Sequence, residues 1–195
     1  MRFESGQFYH IYNQGNNKQQ LFLEPDNYEY FKQLIVHYIK PNCQIISWCL
    51  MPNHYHFLIL TNDESVKEKT VGSLKIQYLS NGFRLLQSTY SHAINKRFSR
   101  SGSMFRQRYK SKHIDTGKDG KYLNACFNYI HQNPVAASLV HSIEDWKYSS
   151  FKTYLLGHDD ELTEQTTGRK FLEIDNTTFY IESTAKLRVD LKDIE

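Results

Sequence analysis

The sequence is short of cysteine, of long apolar runs and, over most of its length, of acid. Cys43, Cys49 and Cys126 are its three cysteines, an odd number without CxxC spacing. That excludes a disulfide framework and leaves reduced thiols in a cytosolic protein as the expectation. No apolar run approaches the roughly 18–20 residues that a membrane helix needs. The opening MRFESGQFYH has no apolar signal core, so no secretory leader is expected. Neither an internal repeat nor a low-complexity segment is present. What is there instead is 39% hydrophobic and 14% aromatic residues in 195, the composition of a globular chain with room for a sizeable core.

Acid is scarce in the body and gathered at the end. Residues 1–158 hold 19 Lys and Arg against 11 Asp and Glu, a net +8, whereas residues 159–195 hold 5 against 10. The division expected is a domain over 1–158 and an acidic C-terminal extension over 159–195. A basic body points to a polyanionic partner. Between Lys96 and Lys112 there are seven basic residues and no acidic one.

The periodicities predict a βαββαβ order followed by one more helix. QFYHIYN at 7–13 reads as a strand, and QGNNK as a Gly/Asn loop. Pro25-Asp26 opens a helix bearing Tyr28, Phe31, Leu34, Ile35 and Tyr38 at helical spacing. Residues 43–50 and 54–61 form a hairpin around Met51-Pro52-Asn53. A long helix is expected over 70–98 in spite of Gly82, a strand over 104–114, a turn at Gly117 and Gly120, and a helix over 120–132 that stops at Asn133-Pro134. This is an α+β, ferredoxin-like plan: an antiparallel sheet with helices on one face, plus a C-terminal helix and extension.

In the second strand of the hairpin, His54 and His56 are two residues apart and so project from the same face. Two neutral imidazoles so placed can share a divalent metal, and borderline ions suit them better than hard ones. Alternatives are two satisfied core histidines, two solvent-facing ones, or a zinc site with Cys43 or Cys49, whose spacing matches no common zinc signature. In the last helix, Leu123, Phe127 and Ile130 form an apolar stripe, while Tyr122, Tyr129 and Asn133 share another side. Spacing alone does not choose between Tyr122 and Tyr129 as a reactive phenol, nor between either and a packing aromatic. Arg106, Arg108, Lys110 and Lys112 alternate and would line one face of a strand. Lys96, Arg97 and Arg100 close the preceding helix. Together they read as a phosphate-tracking stripe, to which Gly15, Asn16 and Asn17 could add backbone and amide donors. A solvated edge strand is the competing reading.

Several stretches, in order, resemble the single-tyrosine HUH transposases, and within them the REP-associated tyrosine transposases. They are YHIYNQGNNKQQLF at 9–22, SWCLMPNHYHFLIL at 47–60, SGSMFRQRYKSKHI at 101–114, YLNACFNYIHQNPVAASLV at 122–140 and EDWKYSSFKTYLLG at 144–157. The resemblance covers residues from about 8 to 157. It implies Tyr129 as nucleophile, His54, His56 and the Asn133 amide as ligands of Mg²⁺ or Mn²⁺, and single-stranded DNA bearing a REP-type hairpin as substrate. It also implies a bacterial cytoplasmic, nucleoid-associated enzyme, monomer or homodimer, with no membrane partner. Cleavage would pass through a 5′-phosphotyrosine. The chain departs from the family pattern at Gln14 and Ala136, where Arg is frequent, and at Ser138, where Gly is. A non-catalytic nucleic-acid-binding module and a nuclease without a covalent intermediate stand as the other readings. Asn133 could also simply close its helix. The acidic extension could be an ordinary solvated tail or a lid over the basic stripe.

Overall fold

The computed structural model describes residues 2–116 and 120–185; the expected turn residue Gly117 and the end of the acidic extension, 186–195, lie outside the described residues. In chain order the elements are β1 (Phe8–Gln14), α1 (Pro25–Tyr38), β2 (Cys43–Met51), β3 (His54–Thr61), α2 (Asp63–Val66), β4 (Glu68–Val71), β5 (Leu74–Gln77), α3 (Tyr78–Arg97), β6 (Lys110–Ile114), α4 (Lys121–Ala136), α5 (Phe151–Leu156), α6 (Gln165–Leu172) and α7 (Phe179–Thr184). The main sheet runs β2-β3-β1-β6 with every pair antiparallel, the ferredoxin-like order.

The strand alternation divides the core in two. Tyr9, Ile11, Tyr55, Phe57 and Ile59 face α1 and α3, meeting Phe31, Ile35, Phe83, Leu86 and Tyr90. The opposite face presents Phe8, Leu58 and Ile114 to Leu123, Cys126, Phe127 and Ile130 of α4. The two ferredoxin-type helices thus cover one face, and the added C-terminal helices cover the other. Gly82 is what lets α3 lie close on α1: a Cβ there would come within 2.4 Å of the Tyr38 carbonyl oxygen. Glycine inside a helix costs up to about 1 kcal/mol relative to alanine, a cost offset here by close packing.

Three expected boundaries move. The long helix begins at Tyr78, because 68–77 form the β4–β5 hairpin around Gly72-Ser73, with Gly72 at φ 62. The basic strand is regular only from Lys110; before it, Phe105 bridges Gly15 and the Arg106 amide donates to the Gln14 carbonyl at 2.9 Å. The last helix passes through Pro134 to Ala136. The proline ring removes one backbone donor in the final turn, and the chain resumes bonding when the Ala137 amide donates to the Asn133 carbonyl at 2.9 Å.

Residues 159–185 lie on the body and share both of its cores, Leu162 joining the first and Leu172 and Phe179 the second. Leu162, Leu172 and Phe179 are buried. Asp160 accepts from Trp48 Nε1 at 2.9 Å, from Thr153 Oγ1 at 2.9 Å and from its own backbone neighbours. The Glu164 amide donates to the Ile45 carbonyl at 2.8 Å, tying the segment to β2.

Candidate active site

The face that seats α4 is apolar at one end and polar at the other. Register explains this: Tyr12 lies opposite His56 and Gln14 opposite His54, while Lys110 and Lys112 lie opposite Tyr12 and His10. Cross-strand partners share a face, so two strands and the edge strand bring histidines, a tyrosine and lysines to one patch. A cleft of about 540 Å³ opens there, lined by Tyr12, Asn13, Gln14, His54, His56, Arg106, Arg108, Lys110, Tyr129 and Asn133.

Tyr129 overhangs the histidines. Its ring centroid is 5.6 Å from that of His56 and 5.9 Å from that of His10, both edge-on. Tyr122, seven residues earlier, is 42% exposed and lies outside the cleft. Asn133 is one turn beyond Tyr129, and its Nδ2 donates to the Tyr129 carbonyl at 2.8 Å. That bond commits the nitrogen and leaves Oδ1 as the atom with ligand chemistry.

Each imidazole is oriented by a neighbour. His54 Nδ1 is 2.6 Å from Asn53 Oδ1. An amide oxygen only accepts, so Nδ1 carries the proton and the lone pair sits on Nε2. His56 Nδ1 is 2.9 Å from His10 Nε2, and the two rings stack at 5.1 Å. Burial holds His56 well below the ordinary imidazole range, with His10 and His54 adding to the effect, so it stays neutral. Among the described residues no group of three His, Cys, Asp or Glu is placed to hold a metal. His10 turns its Nε2 to His56 and so fixes the orientation of that ring. The donor set that fits a divalent ion is two imidazoles and one amide oxygen, with remaining positions for phosphate or water oxygens. Cys43, Cys49 and Cys126 are buried thiols whose titration burial pushes far up, and none lines the cleft.

The basic residues divide. Arg106, Arg108 and Lys110 line the cleft, with Lys110 Nζ 5.5 Å above the Tyr12 ring. Phe105 and Tyr109 turn inward, Tyr109 packing on Phe83 at 4.9 Å. Lys112 follows on the same sheet face. Lys96, Arg97 and Arg100 sit at the far end of α3, outside the cleft; Arg97 pairs with Glu24 at 2.6 Å and Arg100 donates to Gln19. In the loop, the Gly15 amide donates to the Asn53 carbonyl and the Asn16 amide to the Met104 carbonyl, both at 2.8 Å. Those backbone donors are therefore engaged within the protein, and the exposed side chains of Asn16 and Asn17 are what the loop can present. Gly15 itself is required by contact, since a Cβ would meet the Gln19 carbonyl oxygen at 2.1 Å. No described residue of 159–185 lines the cleft.

Sequence reasoning passed over His10 and Asn53. The period-2 pattern of QFYHIYN places His10 on one face with Tyr12, a usable signal. Asn53 had none beyond its position in a turn.

The fold, with paired histidines across from a helix-borne tyrosine, defines a protein of the single-tyrosine HUH class. Residues 4–133 match the family described as Transposase IS200 like, and the chain belongs to that family. A curated Haemophilus influenzae relative named REP-associated tyrosine transposase is 28% identical over 125 residues, covering 62% of this chain. The matched region spans 64% of that relative's length, under two thirds. A solved REP-associated tyrosine transposase bound to a REP hairpin matches with a TM-score of 0.60 and 19% identity, covering 83% of this chain and 87% of that one. At that identity the likeness is one of fold.

Proposed function

We propose that the chain is a metal-dependent endonuclease and strand transferase acting on single-stranded DNA that bears a REP-like hairpin. The observation that carries this reading is the edge-on approach of Tyr129 to His56 within a cleft rimmed by Arg106, Arg108 and Lys110. The curated relative's name and the hairpin bound to the solved relative supply the substrate class.

The arginines and lysine hold the strand by its phosphates and lay one phosphodiester between Tyr129 and the histidine pair. Tyr129 Oη attacks the phosphorus and loses its proton. The bond from phosphorus to the 3′ oxygen breaks, and that oxygen takes up a proton as a free 3′-OH. The 5′ side stays on the tyrosine as a phosphodiester. One ester replaces another, so a later 3′-OH can attack the same phosphorus and restore the phenol without ATP. A divalent ion such as Mg²⁺ or Mn²⁺, held by His54, His56 and Asn133, would polarise the scissile phosphate and offset charge developing on it. Asn53 and His10 keep the two imidazoles in the orientation such binding needs. Tyr129, Asn133 and both histidines come from one chain, which supports a monomer as the sufficient unit. The setting is the bacterial cytoplasm, beside the chromosome.

Incubation with end-labelled hairpin DNA and Mn²⁺ should yield an adduct that survives denaturation. Tyr129→Phe should abolish the adduct and retain binding within about twofold. An adduct formed by the Phe variant would assign the chemistry elsewhere. Free cleavage without any adduct would favour a nuclease, and binding alone a non-catalytic module.

A further inference from the structure

A second and larger cavity, of about 1310 Å³, lies on the other side of the basic strand. It shares Tyr12, Arg106, Arg108 and Lys110 with the catalytic cleft, so the two are continuous. Its outer wall comes from elements with no part in the chemistry. Lys75 and Ile76 of β5 form one side, and α3 forms the other with Ser80, Arg84, Ser88 and Ser91. Those four α3 positions, at i, i+4, i+8 and i+11, make one polar stripe, while Leu79, Phe83, Leu86 and Tyr90 turn into the core.

The composition of this wall identifies its ligand. The groove is lined by seven Lys and Arg side chains and a single acid, Glu68, which is itself paired with Arg2. Hydroxyl donors are interspersed with the cations, the mixture that binds phosphodiester oxygens without reading bases. Leu74, beside Lys75 at the hairpin tip, is 71% exposed, an apolar side chain on a cationic rim. An acidic protein segment would use the cations and leave the apolar tip idle; a nucleic-acid strand uses both, with sugars and base faces beside its phosphates.

We infer that this groove extends the cleft as a further binding track for the nucleic-acid backbone, carrying the part of the DNA that continues beyond the catalytic cleft. The β4–β5 hairpin is its outer rim. The inference rests on the DNA-processing reading of the cleft, but its test does not depend on chemistry.

The test uses the full chain, a short single strand of about six nucleotides that fills the cleft alone, and a strand of about twenty. Lys75→Ala combined with Arg84→Ala removes two exposed charges from the outer wall. Affinity for the long strand should fall on the order of tenfold, and the slope of log K against log salt should flatten by about 1.4, or 0.7 for each lost phosphate contact. Binding of the short strand should stay within about twofold. An unchanged affinity and salt slope for the long strand would overturn the inference, as would equal losses on both strands. So would a poly-glutamate peptide that competes with the long strand as well as unlabelled DNA does. If the wild-type protein binds both strands but forms no adduct with hairpin DNA and Mn²⁺, the catalytic reading fails while the groove is still decided by its salt slopes.

Discussion

His10 illustrates how much of a site can rest on a residue that does not take part in it. Its Nε2 lies 2.9 Å from His56 Nδ1 in a fully buried setting. Removing it leaves His56 without its orienting partner and opens a void beside the ring. Loss of such supporting partners typically weakens metal binding 10–100-fold. His10→Ala should therefore weaken Mn²⁺ binding by about that factor, measured by titration calorimetry on the folded variant. Unchanged Mn²⁺ affinity would reduce His10 to a packing residue. His54 and His56 were legible because the two-residue repeat of a strand shows directly in "HYH". His10 shares the face, but the pairing that brings β1 against β3 is long-range, and no local spacing records it. Tyr129 is singled out in the sequence only by motif resemblance: spacing leaves it level with Tyr122, and the fold separates them by placing Tyr129 in the cleft and Tyr122 outside it.

Among elements, strands and helices with apolar periodicity were readable, and the failures have specific causes. EKTV and LKIQ alternate over only four residues each, and all but Gln77 are at least partly exposed, so they carry little apolar signal against the helix that follows. Asn133-Pro134 predicts a stop, yet the proline lies within the last turn, where only one donor is lost. Beyond that helix, Ser138 sits at φ 55, in the region glycine favours, at a position where the resembled family often has glycine. A side chain there costs roughly 1–2 kcal/mol, partly regained through a less flexible unfolded chain. Ser138→Gly should raise stability by about 0.5–1 kcal/mol, measured by urea denaturation at constant m-value. A loss of stability would show that the serine hydroxyl outweighs the strain.

At the scale of the whole molecule, the charge division seen in the sequence does not coincide with a division of the core. Leu162, Leu172 and Phe179 lie in the acidic segment and are at most 5% exposed. Burial of such side chains contributes about 1.5–3 kcal/mol each. Three of them approach the 5–15 kcal/mol that holds a domain folded. Truncation after Gly157 should therefore lower the melting temperature by more than 10 °C or leave the protein insoluble, as read by calorimetry. A truncated chain that melts normally and binds hairpin DNA more tightly would restore the segment as a detachable cover. Net charge reports on partners and solubility, not on which residues pack together.

The hydrogen bond from Asn133 to the Tyr129 carbonyl has a consequence for how a cut end would be kept. Tyr129 and Asn133, the proposed nucleophile and amide ligand, stand one turn apart on one helix, and Gln132 between them ties that helix to the Ser183 carbonyl at 2.7 Å. Withdrawing the tyrosine from the histidines would also withdraw the amide oxygen. On the proposed mechanism the helix would work as an interlock: a covalently held strand could not swing away while the ion's cage stayed intact. An enzyme of this build would be safe against letting go half-way, because release and loss of catalytic competence would be a single motion.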